Sequence, residues 1–515
     1  TIFIVVAALG VNLVYHMRKE DREALCRGSE AKLKGIWDPA RKQELKARLL
    51  GTGKPYAADS WQRIEQVLDE YAQSWVNMRT AACMATMRGQ QPAQVLELRD
   101  RCLDDGLHEV KAFTNVLATG AAEAVLESSN TAVHELPPVA RCADIEALRA
   151  PPPLPENPAE RAEVRRLTEK IQAVRTEQRF GSYGLAINEA RQLAEQASRV
   201  KYLPVKAEAL SLLGQVEQPV DARRAEKTLV QAAAAAFESH NQKMVAETWI
   251  RLTALTGNIL REPEKAASWE MLADAALEAL SPSEAEPLQA QLQLARCRVE
   301  IAKRSFDTAI KFCQQALTLG SKIYGDSRPE VADMLHVLAT AYRGKDDYAH
   351  AMQHYKEALE VEQKGLGSVH PSIASNLRGI GLTLILQNRG SEAQQYLERA
   401  LGIMQQSLGQ DHIRTSDFYL LVGKNLLALN RVADAELPLR RCFSIREKAA
   451  DAETVRAEAR YFLGQALARL GSYGEALNLN VVGLELIERA AKRSEARVAY
   501  NLHAIGVILI ALGRT

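Results

Sequence analysis

Apolar residues fall along this chain in three patterns. From Thr1 to Tyr15 they run almost unbroken, as TIFIVVAALGVNLVY, and HMRKEDR follows at once. From about residue 20 to 150 they recur at spacings of three and four, the signature of amphipathic helices. Beyond residue 160 the helical spacing is itself repeated, with a period of 42 residues. β-branched runs are rare after the first fifteen residues, while Ala, Leu, Glu, Arg and Gln abound, so the chain is predicted to be all-α.

A bilayer-spanning helix needs roughly 20 apolar residues, so the first run is short for one. The chain starts at Thr1 without an initiator Met, and a start inside the segment accounts for the shortfall. Residues 1–17 are therefore predicted to be a truncated transmembrane helix. A signal-peptide core also fits by length, but no small-residue cleavage site follows; a buried helix of a soluble domain is the third reading. Arg18, Lys19 and Arg22 flank one side only, so the positive-inside comparison does not fix an orientation. The chain stops at Thr515 within a repeat and without a polar capping helix, and a fragment of a longer protein is expected.

The second pattern predicts a small helical module over 20–148. Asp38-Pro39 reads as N-cap and N1, and Gly51 ends that helix. Asp59 or Ser60 starts a long helix whose stripe is Trp61, Ile64, Leu68, Tyr71, Trp75 and Met78. After the turn Gly89-Gln90-Gln91-Pro92, a helix from about Ala93 to Thr119 places Leu96, Leu103, Val110 and Leu117 at heptad spacing. A short helix and Pro137-Pro138 follow. The linker over 149–159 holds PPPLPENP and is expected to be stiff and extended. Cys26, Cys83, Cys102 and Cys142 lie in this module, with no CxxC spacing and no His placed to complete a zinc site. Two disulfides in an oxidising compartment and four buried thiols in the cytosol are both compatible with the pattern. A Cys83–Cys102 pair is disfavoured: across a hairpin turning near Gln90, Cys102 sits about 7 Å too far along the axis at 1.5 Å per residue.

In the third pattern, a small residue after a large one recurs as Leu338-Ala339, Ile380-Gly381, Val422-Gly423, Leu463-Gly464 and Ile505-Gly506. An alanine recurs as Ala309, Ala351, Ala393, Ala435 and Ala476, and a pair as Ala316-Leu317, Ala358-Leu359, Ala400-Leu401, Cys442-Phe443 and Gly483-Leu484. Small residues let two antiparallel helices approach; large neighbours fill the groove to the next hairpin. No hairpin can bury its apolar face alone, so hairpins must stack. The run LGQALARLGSYGEALNLN, Leu463 to Asn480, resembles the tetratricopeptide family, as does Ala339-Tyr342-Tyr348-Ala351; the 42-residue length resembles the variety seen in kinesin light chains. Gly390 and Val432 depart from it, replacing the second-helix aromatic. Armadillo and HEAT repeats share the period, but the Gly/Ala-Tyr-Ala placement favours the tetratricopeptide reading. That resemblance implies a right-handed α-solenoid of about eight hairpins over 160–515, degenerate over 160–285 and regular over 286–515. In this register Cys297, Cys313 and Cys442 fall at packing positions, and Ala232 to Ala236 marks close helix packing.

Charge and chemistry narrow the function. Lys+Arg is 65 against Asp+Glu 64, a net charge of +1, which argues against nucleic acid as a partner. No HExxH, GxSxG or Walker A sequence occurs, and no metal or cofactor is expected. His336 and His503 share one repeat position with Arg378. On the tetratricopeptide pattern that position faces the concave groove, where Arg343, Lys424 and Gln465 are its neighbours. These six residues are the candidate site for an extended peptide and its acidic side chains; a solvated polar face is the alternative.

The order of motifs across the whole chain adds a second resemblance. Cys26 with GSE, GIWDPARK, TGKPYA, LDEYAQSW, AACMAT, RDRCLDD and PPVARCAD succeed one another over some 120 residues. This succession resembles the region after the membrane helix in myxobacterial-type receptor serine/threonine protein kinases. The resemblance implies a cytoplasmic kinase domain before Thr1 and a tetratricopeptide region outside the membrane, with the four cysteines bridged as two disulfides. It also implies a periplasmic location beyond residue 17; a cytoplasmic location is the alternative. No Gly-rich phosphate loop, HRD or DFG occurs in this chain, so no catalysis is expected within it. The expected function is thus a protein- or peptide-binding sensor region of a membrane-bound kinase, or else a free-standing adaptor.

Overall fold

The computed structural model describes Cys26 and residues 28–513, apart from 55, 121, 150–153, 180–182, 219–220, 327, 367–369, 450–452 and 491–493. The run Thr1–Tyr15, expected as a membrane helix, lies outside the described residues. Among those described, no helix is long and apolar enough to cross a membrane. All regular structure among them is helical. The chain divides into two compact units, Thr1–Gly325 and Asp326–Thr515.

The first unit opens with α1 (Pro39–Leu50), α2 (Ala57–Met87), α3 (Ala93–Thr119), α4 (Ala122–His134) and α5 (Ile145–Arg149). Asp38 caps α1, its Oδ1 accepting from the Arg41 N–H at 2.8 Å, and the Gly35 N–H reaches Oδ2 at 2.6 Å. These bonds hold the Asp38 carboxyl below the usual range. The stripe read on α2 buries Trp61, Ile64, Leu68 and Trp75. The Trp75 indole N–H donates to the Leu103 carbonyl at 2.7 Å and so pins α2 to α3. Two disulfides staple the module, Cys26–Cys83 and Cys102–Cys142, each with a Cα separation of 5.6 Å. The disfavoured Cys83–Cys102 pair does not form.

Four hairpins complete this unit: α6 (Pro158–Arg179) with α7 (Tyr183–Ala197), α8 (Leu203–Glu217) with α9 (Ala222–Glu238), α10 (Gln242–Ala254) with α11 (Pro263–Glu278), and α12 (Pro282–Lys303) with α13 (Phe306–Tyr324). Ala232, Ala233, Ala235 and Ala236 are buried in α9, as the alanine run requires. The module does not stand apart from these repeats. α3 packs on α6, and Leu154 of the linker packs against the repeat core.

One reading is corrected here. Cys297 and Cys313, taken from the register as packing residues only, form a third disulfide between α12 and α13, with Cα atoms 5.3 Å apart. Both are fully buried, so the packing role holds, but the close approach of the two helices also brings the sulfurs together. The two residues are equidistant from Ser305 in the turn, a spacing that an antiparallel hairpin places face to face. Cys442 is buried and outside any disulfide.

The second unit holds α14 (Pro329–Gly344) with α15 (Tyr348–Leu366), α16 (Pro371–Leu386) with α17 (Gly390–Ser407), α18 (Ile413–Ala428) with α19 (Val432–Lys448), α20 (Glu453–Arg469) with α21 (Tyr473–Arg489), and then α22 (Glu495–Ala511). The small-residue rule has a direct steric basis. A Cβ added at Gly381 would lie 2.5 Å from the Leu397 side chain, and one at Gly423 equally close to Leu439. In the first unit, Gly214 meets Leu229 in the same way, at 2.6 Å. The turn inside each hairpin repeats too. Asp346, Asn388, Asn430 and Gly471 all adopt positive φ, between 59° and 83°, one repeat apart; Asn and Gly tolerate this region best.

Candidate peptide-binding groove

In the second unit the first helices of successive hairpins stack side by side: α14 on α16, α18 on α20, α20 on α22. Their shared face carries the six candidate residues, in two groups with His503 beyond.

The first group surrounds Tyr355, which is fully buried on α15. Its ring meets His336 edge-on at 5.3 Å, and the Arg343 guanidinium lies over it at 5.8 Å. Thr340 donates its hydroxyl to the His336 carbonyl at 3.0 Å, so the Tyr355 hydroxyl is the donor in its 2.9 Å bond to Thr340. His336 continues inward. Its Nδ1–H donates to Asn376 Oδ1 at 2.8 Å, and Asn376 Nδ2 donates to Glu362 at 2.7 Å. Burial pulls His336 below its ordinary pKa; Asn376 and Asp333 oppose this, and Arg378 and Arg343 add to it. Burial likewise pushes Glu362 up to about 7, against the bond from Asn376 and with the charge of Asp333. Arg378, one repeat beyond His336, stacks over Phe418 at 5.9 Å. Among the described residues neither Arg343 nor Arg378 meets a carboxylate. Each is half-buried and held by an aromatic ring.

The second group lies further along. Lys424 sits 4.5 Å over the Phe462 ring and donates to Glu458 at 3.2 Å. Glu458 also faces Arg497 at 3.6 Å. Gln465 donates to the Tyr461 hydroxyl at 2.5 Å, and the Tyr461 ring is 6.3 Å from that of Tyr500. His503, on α22, is exposed.

The structure thus brings His336, Arg343 and Arg378 together. Lys424 and Gln465 fall into an aromatic neighbourhood, and His503 stands apart from both. Sequence reading missed the rings under the cations and the inward chain from His336 to Glu362. The doublets Phe418-Tyr419 and Tyr461-Phe462 were the available signal for the rings. Nothing in the 42-residue register marks Asn376 or Glu362, whose positions in the next repeat hold Phe418 and Met404. Among the described residues no His, Cys, Asp or Glu cluster could hold a metal ion.

Residues 286–364 and 371–448 match the family model of the tetratricopeptide repeat. The hairpins within those two segments are thus of the tetratricopeptide-repeat type. Solved structures similar to the chain include the TPR-like repeats of a protein named as a kinesin light chain from Podosopora anserina. It is 20% identical over 40% of this chain and 99% of its own, with a TM-score of 0.35. BtubC (BKLC) from P. vanneervenii is 19% identical over 55% of this chain and 92% of its own, TM-score 0.32. Aspartyl phosphate phosphatase F from Bacillus subtilis is 11% identical over 70% and 96%, TM-score 0.39. Similarity of this order carries no residue's role across. Among curated proteins none matches the sequence.

Proposed function

We propose that the second unit binds an extended peptide along the face of its first helices, with acidic side chains of the peptide meeting Arg343, Arg378 and Lys424. The observation that carries this is the pair of arginines, each stacked on a ring and neither paired with a carboxylate among the described residues. An arginine pre-oriented on an aromatic face loses little side-chain freedom when it takes a carboxylate in a bidentate bond. The test is fluorescence anisotropy with a labelled Glu/Asp-rich peptide. Arg378→Glu with Lys424→Glu should weaken binding at least tenfold with helicity unchanged. An unchanged affinity removes the groove. His336 is a poorer probe, because its bond to Asn376 makes it part of the core.

The wider role we propose is the sensor part of a membrane-bound serine/threonine kinase, non-catalytic in itself and lying outside the cytoplasm. Three disulfides support an oxidising compartment. A free-standing adaptor is the rival reading. The reading frame upstream of Thr1 separates them: a kinase domain there supports the first, and a nearby start codon the second.

A further inference from the structure

Two charges in the second hairpin of the first unit break the repeat register. Gly214 on α8 packs against Leu229 on α9 as Gly423 packs against Leu439, which aligns this hairpin with the regular repeats. At the place of Lys206 those repeats carry Val331, Ile373, Thr415, Arg456 and Val498, all but Arg456 buried and uncharged. At the place of Glu238 they carry Lys364, Gln406, Lys448 and Arg489. Packing of the hairpin thus requires neither a lysine at the first place nor an acid at the second.

Helix electrostatics does not require them either. Lys206 lies in the first turn of α8, and Glu238 is the last residue of α9. A cation at a helix N-terminus and an anion at a C-terminus both oppose the helix dipole. The two residues are equidistant from Ala222, where α9 begins, so the antiparallel hairpin brings them to the same level at its open end. Yet among the described residues neither makes an ion pair or a hydrogen bond. Lys206 is half-buried, and an enclosed charge without a partner is costly.

Both residues line one cavity of about 310 Å³. Leu210 and Ala235, both buried, form its floor, with Ala234 beside them one turn before Glu238. Ser198, just after α7, and Gln231 complete the wall. The short side chains of Ala234 and Ala235 leave the space open. Its volume lies at the small end of the range for small-molecule sites, roughly 300–1,000 Å³. It offers one cation, one anion and an apolar floor.

We propose that this cavity binds a free amino acid with an apolar side chain, such as leucine or phenylalanine. The carboxylate meets Lys206, the ammonium meets Glu238, and the side chain lies on Leu210, Ala234 and Ala235. The ligand gives both charges the partners that the fold withholds. The site is separate from the groove of the second unit, and neither reading depends on the other.

The test is isothermal titration calorimetry on the full chain with disulfides intact, using L-leucine and L-phenylalanine. Isocaproate and hydrocinnamate are the analogues that lack the ammonium; isoamylamine and phenethylamine lack the carboxylate. At least one of the two amino acids should bind, and its own analogues should bind tenfold or more weakly. Lys206→Val and Glu238→Lys install residues that other repeats carry at these places. Each should keep or raise the thermal midpoint seen by circular dichroism while weakening binding tenfold or more. Ala234→Leu should fill the cavity and cause the same loss. No heat with either amino acid overturns the proposal. So does an analogue that binds as tightly as its parent, or an affinity that the three variants leave unchanged. A midpoint lowered by both charge variants overturns it as well, because Lys206 and Glu238 would then serve the fold.

Discussion

The same hairpin builds both units, but its first-helix face meets a different environment in each. In the first unit that face lies under a disulfide-stapled module. In the second no described element covers it. The difference explains where the repeat is regular. A hairpin that contacts only its neighbours has one packing problem, so the same solution recurs every 42 residues. Helix α6 must also fit α3 and α4 of the module, and over 160–285 the sequence drifts from the register. α10 runs into a π-type turn at Leu255–Ile259, where the Cβ missing from Gly257 would clash with Val299. The degenerate stretch, 160–285, thus begins with the helix that the module packs on.

The sharpest way to break this comparison is reduction. All three disulfides lie in the first unit, and Cys26–Cys83 and Cys102–Cys142 close loops of 57 and 40 residues. In the chain-entropy account each such loop contributes about 4 kcal/mol. All five tryptophans (Trp37, Trp61, Trp75, Trp249 and Trp269) also lie in the first unit, so their fluorescence reports it alone. Dithiothreitol should lower the urea midpoint seen by fluorescence, and with it the first unit's unfolding free energy by several kcal/mol. The transition left in the circular dichroism, that of the second unit, should stay in place. A common shift of both would mean that the two units do not unfold separately.

How much of this was legible follows from the range of the interactions. Local signals held: Asp38 capping α1, the Trp61-to-Trp75 stripe on α2, the turn before Ala93, and the small residues at Gly381 and Gly423 that admit Leu397 and Leu439. Each depends on neighbours within one helix or one hairpin. What escaped joins residues far apart in sequence, such as the hydrogen bond from Ser283 to Asp144 and the packing of α3 on α6. No periodicity encodes such a contact. The Cys297–Cys313 bridge was within reach, because its symmetry about Ser305 is a local signal. The register that made both cysteines packing residues hid their pairing. The six groove residues were found from one repeat position and its neighbours, whereas the rings beneath them follow no common register.

A pH titration sharpens the comparison from the other side. Glu362 is buried in the second unit and its carboxyl is raised to about 7. A carboxyl raised in the folded state favours folding while protonated. Stability is therefore lost as pH climbs from its ordinary value near 4.5 to about 7, by about 3 kcal/mol in all at 1.36 kcal/mol per unit. His336 acts in the opposite sense. Its lowered value favours the neutral ring, so stability is lost as pH falls below about 6.5. Glu362→Gln keeps an acceptor for Asn376 and removes the alkaline loss. At pH 8 the variant should be the more stable by up to about 3 kcal/mol, and near pH 4.5 the two should match. Tryptophan fluorescence should register none of this. Equal midpoints at pH 8 would show that Glu362 is ionised at no cost.

The finest contrast lies within the second unit, between two glycines at the same register position. A Cβ at Gly381 would run into Leu397, which α17 presses onto α16. A Cβ at Gly506, on α22, would meet nothing within 4 Å. Alanine at 381 must therefore push two packed helices apart, which costs about 1–3 kcal/mol. Alanine at 506 keeps only the gain in helix propensity, about 1 kcal/mol. The same substitution at the same place in the repeat should change sign with what lies opposite it. Urea unfolding followed by circular dichroism reads both. If the two variants moved together, intrinsic propensity would outweigh the helix contact, and the small position would owe its recurrence to something other than the approach of the second helix.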